Sequence, residues 1–238
     1  MRLAFVLALA LALLTSAVLS SAAQAQDTDL ELVLLADASG SITQNELMFQ
    51  REGYAQAMQD PEVLGAISRT AYGEIAVTYV EWAANQGQVV TWMRIRGPED
   101  AASFAAQLLD SPRMAFGRNA IGHALLTGKA LIERNDIDGW RKVIDFSGDS
   151  IGNFSGPGIE EARDEVLASG ITINALPILR EGSLDSNLAQ IYEDRIIGGM
   201  GAFVVTASSR EHFAEAVKRK LILEISGTMP TTDVVTLR

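Results

Sequence analysis

The 238 residues contain no cysteine, so neither disulfides nor thiolate metal centres can stabilise this chain. Histidine is almost as scarce, with only His123 and His212, which leaves little material for an imidazole-based zinc site. Basic residues are too few as well: 19 Lys and Arg face 30 Asp and Glu, a formal net charge of −11. That balance argues against nucleic acid and against anionic lipid surfaces as partners. A basic partner or a metal ion remains compatible with it. Neither GxGxxG nor GxxxxGKS occurs, which removes the usual glycine-rich phosphate cradles. There is no internal repeat and no low-complexity segment after the first 25 residues.

The one long apolar run is at the start. Arg2 supplies a short positive region, residues 3–19 are almost wholly apolar, and Ala23-Gln24-Ala25 has the small-x-small form that a signal peptidase cuts. Residues 1–25 therefore read as a signal peptide, with the mature chain beginning at Gln26 and the protein exported to the periplasm or the exterior. An uncleaved anchor is the alternative, since the run is nearly long enough to span a bilayer. No later segment approaches a span, so no stable membrane insertion is expected after cleavage. Loss of Arg2 makes the chain one charge more negative.

From Gln26 onward, short β-branched or apolar runs alternate with longer stretches of helical period, the pattern of an α/β domain. The run from Leu30 to Ala36 is the first strand. Thr43-Gln44-Asn45-Glu46 forms a capping box that opens a helix, and Pro61 breaks it. Residues 74–81 and 88–95 are strands joined by the turn signal Asn85-Gln86-Gly87, hence antiparallel. Pro98-Glu99-Asp100 starts a helix that stops near Ser111-Pro112. A further helix runs from about Asn119 to Arg134, a strand covers 142–146, and a helix ends at Gly170 as a left-handed cap. Strand 171–176, a helix near 184–197, strand 202–206 and a helix over 209–224 complete the domain, which spans residues 26–226. The tail, 227–238, lacks a strong period.

Asp37-Ala38-Ser39-Gly40-Ser41 follows directly on the first strand. One carboxylate and two hydroxyls on that turn are hard oxygen ligands suited to a magnesium-type ion. Ligands of a doubly wound sheet collect outside the carboxyl ends of its strands, and Asp149 and Asn119 are placed to converge there. The candidate metal ligands are thus Asp37, Ser39, Ser41, Asn119 and Asp149, with one coordination position open. Gly148, Gly152, Gly156 and Gly158 let the intervening loop pass close to the ion. Asp145, a carboxylate inside an apolar strand, needs a bonded partner and reads as structural. His123, one turn after Asn119, reads as structural or as a neighbour of the site.

Asp37-x-Ser39-x-Ser41, the helix start Gly122-His123-Ala124-Leu125 and Asp149 resemble the von Willebrand factor type A domain with its metal-ion-dependent adhesion site. More narrowly, residues 143–149 and 196–204 look like a bacterial family of exported type A proteins, DUF1194. The resemblance implies a Rossmann-like three-layer fold: a central, mostly parallel six-stranded sheet with one antiparallel edge strand and helices on both faces. It also implies Mg²⁺, or Mn²⁺ or Ca²⁺, completed by a carboxylate from a protein partner. One departure stands out, because Asn119 occupies the place where the family pattern carries threonine.

Three functions are compatible with these residues. The first is a non-enzymatic, cation-dependent protein-binding module for adhesion or assembly, whose partner offers an acidic side chain. The second is a metal-dependent hydrolase acting on phosphoesters, with Asp145 or His123 as base. The third is a structural protein with a vestigial metal site.

Overall fold

The computed structural model describes residues 26–179, 187–207 and 212–228. The expected signal peptide and most of the expected tail lie outside these residues. In chain order the elements are β1 (Gln26–Asp37), α1 (Gln44–Gln59), α2 (Pro61–Ser68), β2 (Ile75–Trp82), β3 (Gln86–Ile95) and α3 (Pro98–Asp110). Then come α4 (Ile121–Glu133), β4 (Ile137–Gly148), α5 (Ile159–Ala168), β5 (Thr172–Pro177), α6 (Leu188–Arg195) and α7 (Phe213–Ser226).

The sheet order is β3-β2-β1-β4-β5, with β1 at the centre. β1 pairs in parallel with both β2 and β4, β4 pairs in parallel with β5, and the β2–β3 hairpin supplies the antiparallel edge. Both faces of β1 are buried because successive side chains point to opposite sides of the sheet. Leu30, Leu32, Leu34 and Ala36 enter a core shared with α1, α2, α3 and α7. Val33 and Leu35 enter a second core with α4, α5 and α6. This three-layer arrangement brings the carboxyl ends of β1 and β4 side by side, with Ala36 opposite Ser147.

Local chemistry sets the helix ends. Thr43 caps α1 through a complete capping box with Glu46. Pro61 breaks that helix and also begins the next one, since Asp60 accepts the Glu62 amide as N-cap and proline suits the first turn. Gly170 after α5 and Gly227 after α7 have φ of +74° and +67°, the left-handed conformation that closes a helix cheaply only at glycine.

The sheet has five strands among the described residues, not six. Residues 202–206 are reduced to an isolated parallel bridge between Val204 and Ala175, followed by one between Ala207 and Ile178. The outer edge of β5 is divided: Ile173 pairs antiparallel with Gly198, and only beyond it does the Val204 segment reach the strand. Pro177, at the end of β5, has no N–H to extend a ladder.

Candidate metal centre

Asp37 terminates β1 and is fully buried. Its Oδ1 accepts the Ser39 backbone N–H at 2.8 Å, which folds the turn back over the strand end. The Ser39 and Ser41 hydroxyls are 3.0 Å apart, and the Ser41 hydroxyl donates to Asp149 Oδ1 at 3.3 Å. Immediately after β4, the Asp149 N–H donates to Asp37 Oδ2 at 3.4 Å. Asn119, largely buried before α4, donates its side-chain N–H to the Ser150 hydroxyl at 2.8 Å. Four of the five candidate ligands, Asp37, Ser39, Ser41 and Asp149, therefore belong to one hydrogen-bonded cluster, and Asn119 is tied to it only through Ser150, the chain neighbour of Asp149. Asp37 and Ser39 form its floor and exposed Ser41 its outer edge.

Among the described residues, no group of three or more His, Asp or Glu side chains converges as a metal cluster. An ion here would rest on two carboxylates supplemented by neutral hydroxyl and amide oxygens. That donor set fits a hard cation of the magnesium class. Burial and the negative charge of Asp149 push Asp37 up to about 7, against the lowering effect of the Ser39 and Asp149 hydrogen bonds. Two carboxylates crowded at a strand end are electrostatically unfavourable alone, and a divalent cation between them removes that penalty.

Several supporting residues carried no sequence signal. Arg113, in the segment between α3 and α4, donates to the backbone carbonyls of Ala38, Ser39, Ile42 and Ala115, clamping the ligand turn. Its own segment is held by Arg51, which donates to the Ser111 and Pro112 carbonyls and forms a buried ion pair with Glu81. Tyr192 of α6 donates its hydroxyl to the Ser150 carbonyl at 2.9 Å, and the Trp82 indole N–H donates to the Ser147 carbonyl at 3.0 Å. An arginine after a proline, or a tyrosine on a helix, has no local pattern that announces such a role.

Of the glycines expected to allow close passage, Gly148 ends β4, and a Cβ there would lie 3.2 Å from Asp37 Oδ2 and 2.9 Å from the Trp82 ring. Gly122 is tighter. Its Cβ would meet the Pro157 carbonyl oxygen at 2.3 Å, so α4 can approach the Asp149 loop only without a side chain. Gly122→Ala is expected to lower the unfolding free energy by about 1–3 kcal/mol in urea titration. The affinity for Mg²⁺ should fall with it, because the displaced backbone carries the Asp149 loop.

The two candidate bases sit elsewhere. Asp145 is buried and lies 2.9 Å from Lys220 Nζ, a structural pairing. His123 is exposed and lines a cleft with Trp92, Leu126 and Leu131 on the outer side of α4, while its ring covers Gly156.

Comparison with solved structures recovers the same architecture. The pilus adhesin SpaC from Lactobacillus rhamnosus GG aligns with a TM-score of 0.59 and 14% identity, over 85% of this chain and 32% of that one. A von Willebrand factor type A protein from Catenulispora acidiphila aligns at 0.55 and 13%, over 84% and 43%. Proximal thread matrix protein 1 from the mussel byssus, with a zinc-occupied MIDAS motif, aligns at 0.54 and 16%, over 83% and 46%. The chain thus spans from 32% to 46% of the length of these proteins, and at such identities the likeness establishes the type A fold alone. A search of curated proteins finds no match. The family described as "Protein of unknown function (DUF1194)" matches residues 27–229, nearly the whole described fold and every ligand candidate on it, and the chain belongs to that family.

Proposed function

We propose that the protein is a non-enzymatic, divalent-cation-dependent protein-binding module, exported to the bacterial periplasm or exterior, in which Mg²⁺ bridges the site to an acidic side chain of a partner. The observation that carries this reading is the cluster itself: Asp37, Ser39, Ser41 and Asp149 are joined by hydrogen bonds at one strand end, with Asp37 and Ser39 buried and Ser41 exposed. Asp37 and Asp149 would supply charge, and Ser39, Ser41 and Asn119 neutral oxygens. A bound ion would give a Lewis-acidic point that accepts a carboxylate, which lets a strongly acidic chain bind an acidic group. A pilus adhesin and a MIDAS-bearing matrix protein among the similar folds support an adhesive or assembly role. The pattern of residues 1–25 supports export, and no helix of the described residues is long and apolar enough to cross a membrane.

Neither base named for the hydrolase alternative is among the site's hydrogen-bonded residues. Asp145 is paired with Lys220 inside the core, and His123 lines a separate cleft. The test is calorimetric titration of chelator-treated protein with Mg²⁺ and Mn²⁺. Saturable binding is the expected result. Silence in the native chain, with binding appearing in Asn119→Thr, would overturn the reading in favour of a structural protein with a vestigial site.

A further inference from the structure

Arg118 stands immediately before the ligand candidate Asn119, and it is exposed. Its guanidinium carbon lies 3.6 Å from the centroid of the Phe154 ring, whose side chain is itself 55% exposed. The two residues sit across a seam of the site. The Phe154 N–H donates to the Asn119 carbonyl at 2.9 Å, and Asn153 bridges to Ala120, so the loop from Asp149 and the loop into α4 are stitched together beneath the stack.

Several other arginines are committed to partners. Arg94, Arg96 and Arg195 each hold a carboxylate, and Arg113 spends its donors on backbone carbonyls. Arg118 has none of these partners among the described residues, although acids outnumber bases in the chain. Its plane rests on an aromatic face, which orients the guanidinium while leaving its edge of N–H donors open to a planar anion. Phe116, 58% exposed with Arg113 5.4 Å from its ring centroid, extends the same aromatic and arginine surface. Arginine and phenylalanine are both enriched at protein interfaces.

We infer that the Arg118–Phe154 stack takes a second carboxylate of the partner, beside the one that reaches the cation, so that the recognised segment carries two acidic side chains. This deepens the cation-bridged reading and rests on it. On a chain of net charge −11, a metal ion and a guanidinium on adjoining loops would define two fixed points for acids. The cation supplies the first contact, and the guanidinium supplies register through paired N–H···O bonds.

The experiment is selection of a random dodecapeptide display library on the exported chain, with Mg²⁺ and with chelator, beside Arg118→Gln and Asp37→Ala. The expected result is Mg²⁺-dependent enrichment of peptides with two acids at a constant spacing. Arg118→Gln should select for one acid, and Asp37→Ala should select neither. For a selected peptide, changing the second acid to its amide should weaken binding to the native protein at least about tenfold, with no further loss in Arg118→Gln. Calorimetry should show Mg²⁺ binding unchanged in Arg118→Gln. Mg²⁺-dependent peptides with a single acid, identical in the native protein and in Arg118→Gln, overturn the second contact alone. No enrichment, or enrichment indifferent to chelator, overturns the cation-bridged reading and this inference with it.

Discussion

Asp37→Ala is expected to abolish saturable Mg²⁺ binding while leaving the metal-free protein folded and close to native stability. Losing a partner that merely supports a metal ligand typically weakens affinity about 10–100-fold, and removal of one of two charged ligands should exceed that. The effect on the fold is smaller because two contributions oppose each other. The variant strands the Ser39 N–H, now bonded at 2.8 Å, at a penalty of about 1–3 kcal/mol for a buried donor. It also removes a buried carboxylate that repels Asp149, which offsets that penalty. Calorimetry should be run at pH 8, above the value of about 7 to which Asp37 is pushed, so that protons do not compete with the ion. In the native protein, Mg²⁺ at a hundred times its dissociation constant should raise the unfolding free energy by about 2.7 kcal/mol, and in Asp37→Ala by nothing. A large loss of stability with an unchanged metal titration would identify Asp37 as a turn cap instead of a ligand.

Lys220→Met should destabilise the protein by about 3–5 kcal/mol in urea denaturation, the usual result of leaving buried charge without its partner. Lys220 of α7 is fully buried between Asp145 of β4 and Glu224, one turn further along its own helix. Its contact with Asp145 is an ion pair at 2.9 Å, not a directed hydrogen bond, as both Asp145 oxygens lack an aligned donor. Glu224 is better served, accepting from Lys220 and from the Asn174 side chain, which in turn accepts the Phe203 N–H. The cluster thereby fastens α7 to β4 and β5, and Met in place of Lys would leave two carboxylates in that core.

The same cluster sets a pH dependence. Burial, aided by Asp145 and opposed by Lys220, pushes Glu224 from its ordinary 4.5 up to about 7, and burial also raises Asp145. A raised folded value means that the native state holds the proton more tightly than the unfolded chain. The contribution is therefore fully present below pH 4.5 and is lost as pH rises through about 7. The decline should reach up to roughly 3 kcal/mol. Glu224→Gln should flatten it and make the protein more stable than the native chain at pH 8. Equal slopes in the two proteins would show that Glu224 is not the group responsible.

The amino-acid sequence by itself determined the α/β class, the hairpin edge, the capping box at Thr43 and the turn after β1 where Asp37, Ser39 and Ser41 stand. Each is encoded within a few residues, by hydrophobic period, by capping chemistry or by a turn signal, so each is legible without knowing what packs against it. Asn119 and Asp149 were legible as helix-start and strand-end residues; the parallel order of β1 and β4 brings Asp149 to Asp37, and Asn119 reaches the neighbouring Ser150. Tertiary structure alone decided the rest. Among the described residues the sixth strand is reduced to bridges because Gly198 and the Val204 segment, neighbours in the chain, divide the edge of β5 between them. Arg113, Arg51 and Tyr192 support the site through contacts that cross from one element to another. Lys220 gives Asp145 its charge partner from 75 positions further along the chain. Local patterns specify how the backbone begins and ends its elements, whereas the partner of a buried charge depends on which elements the crossovers bring together.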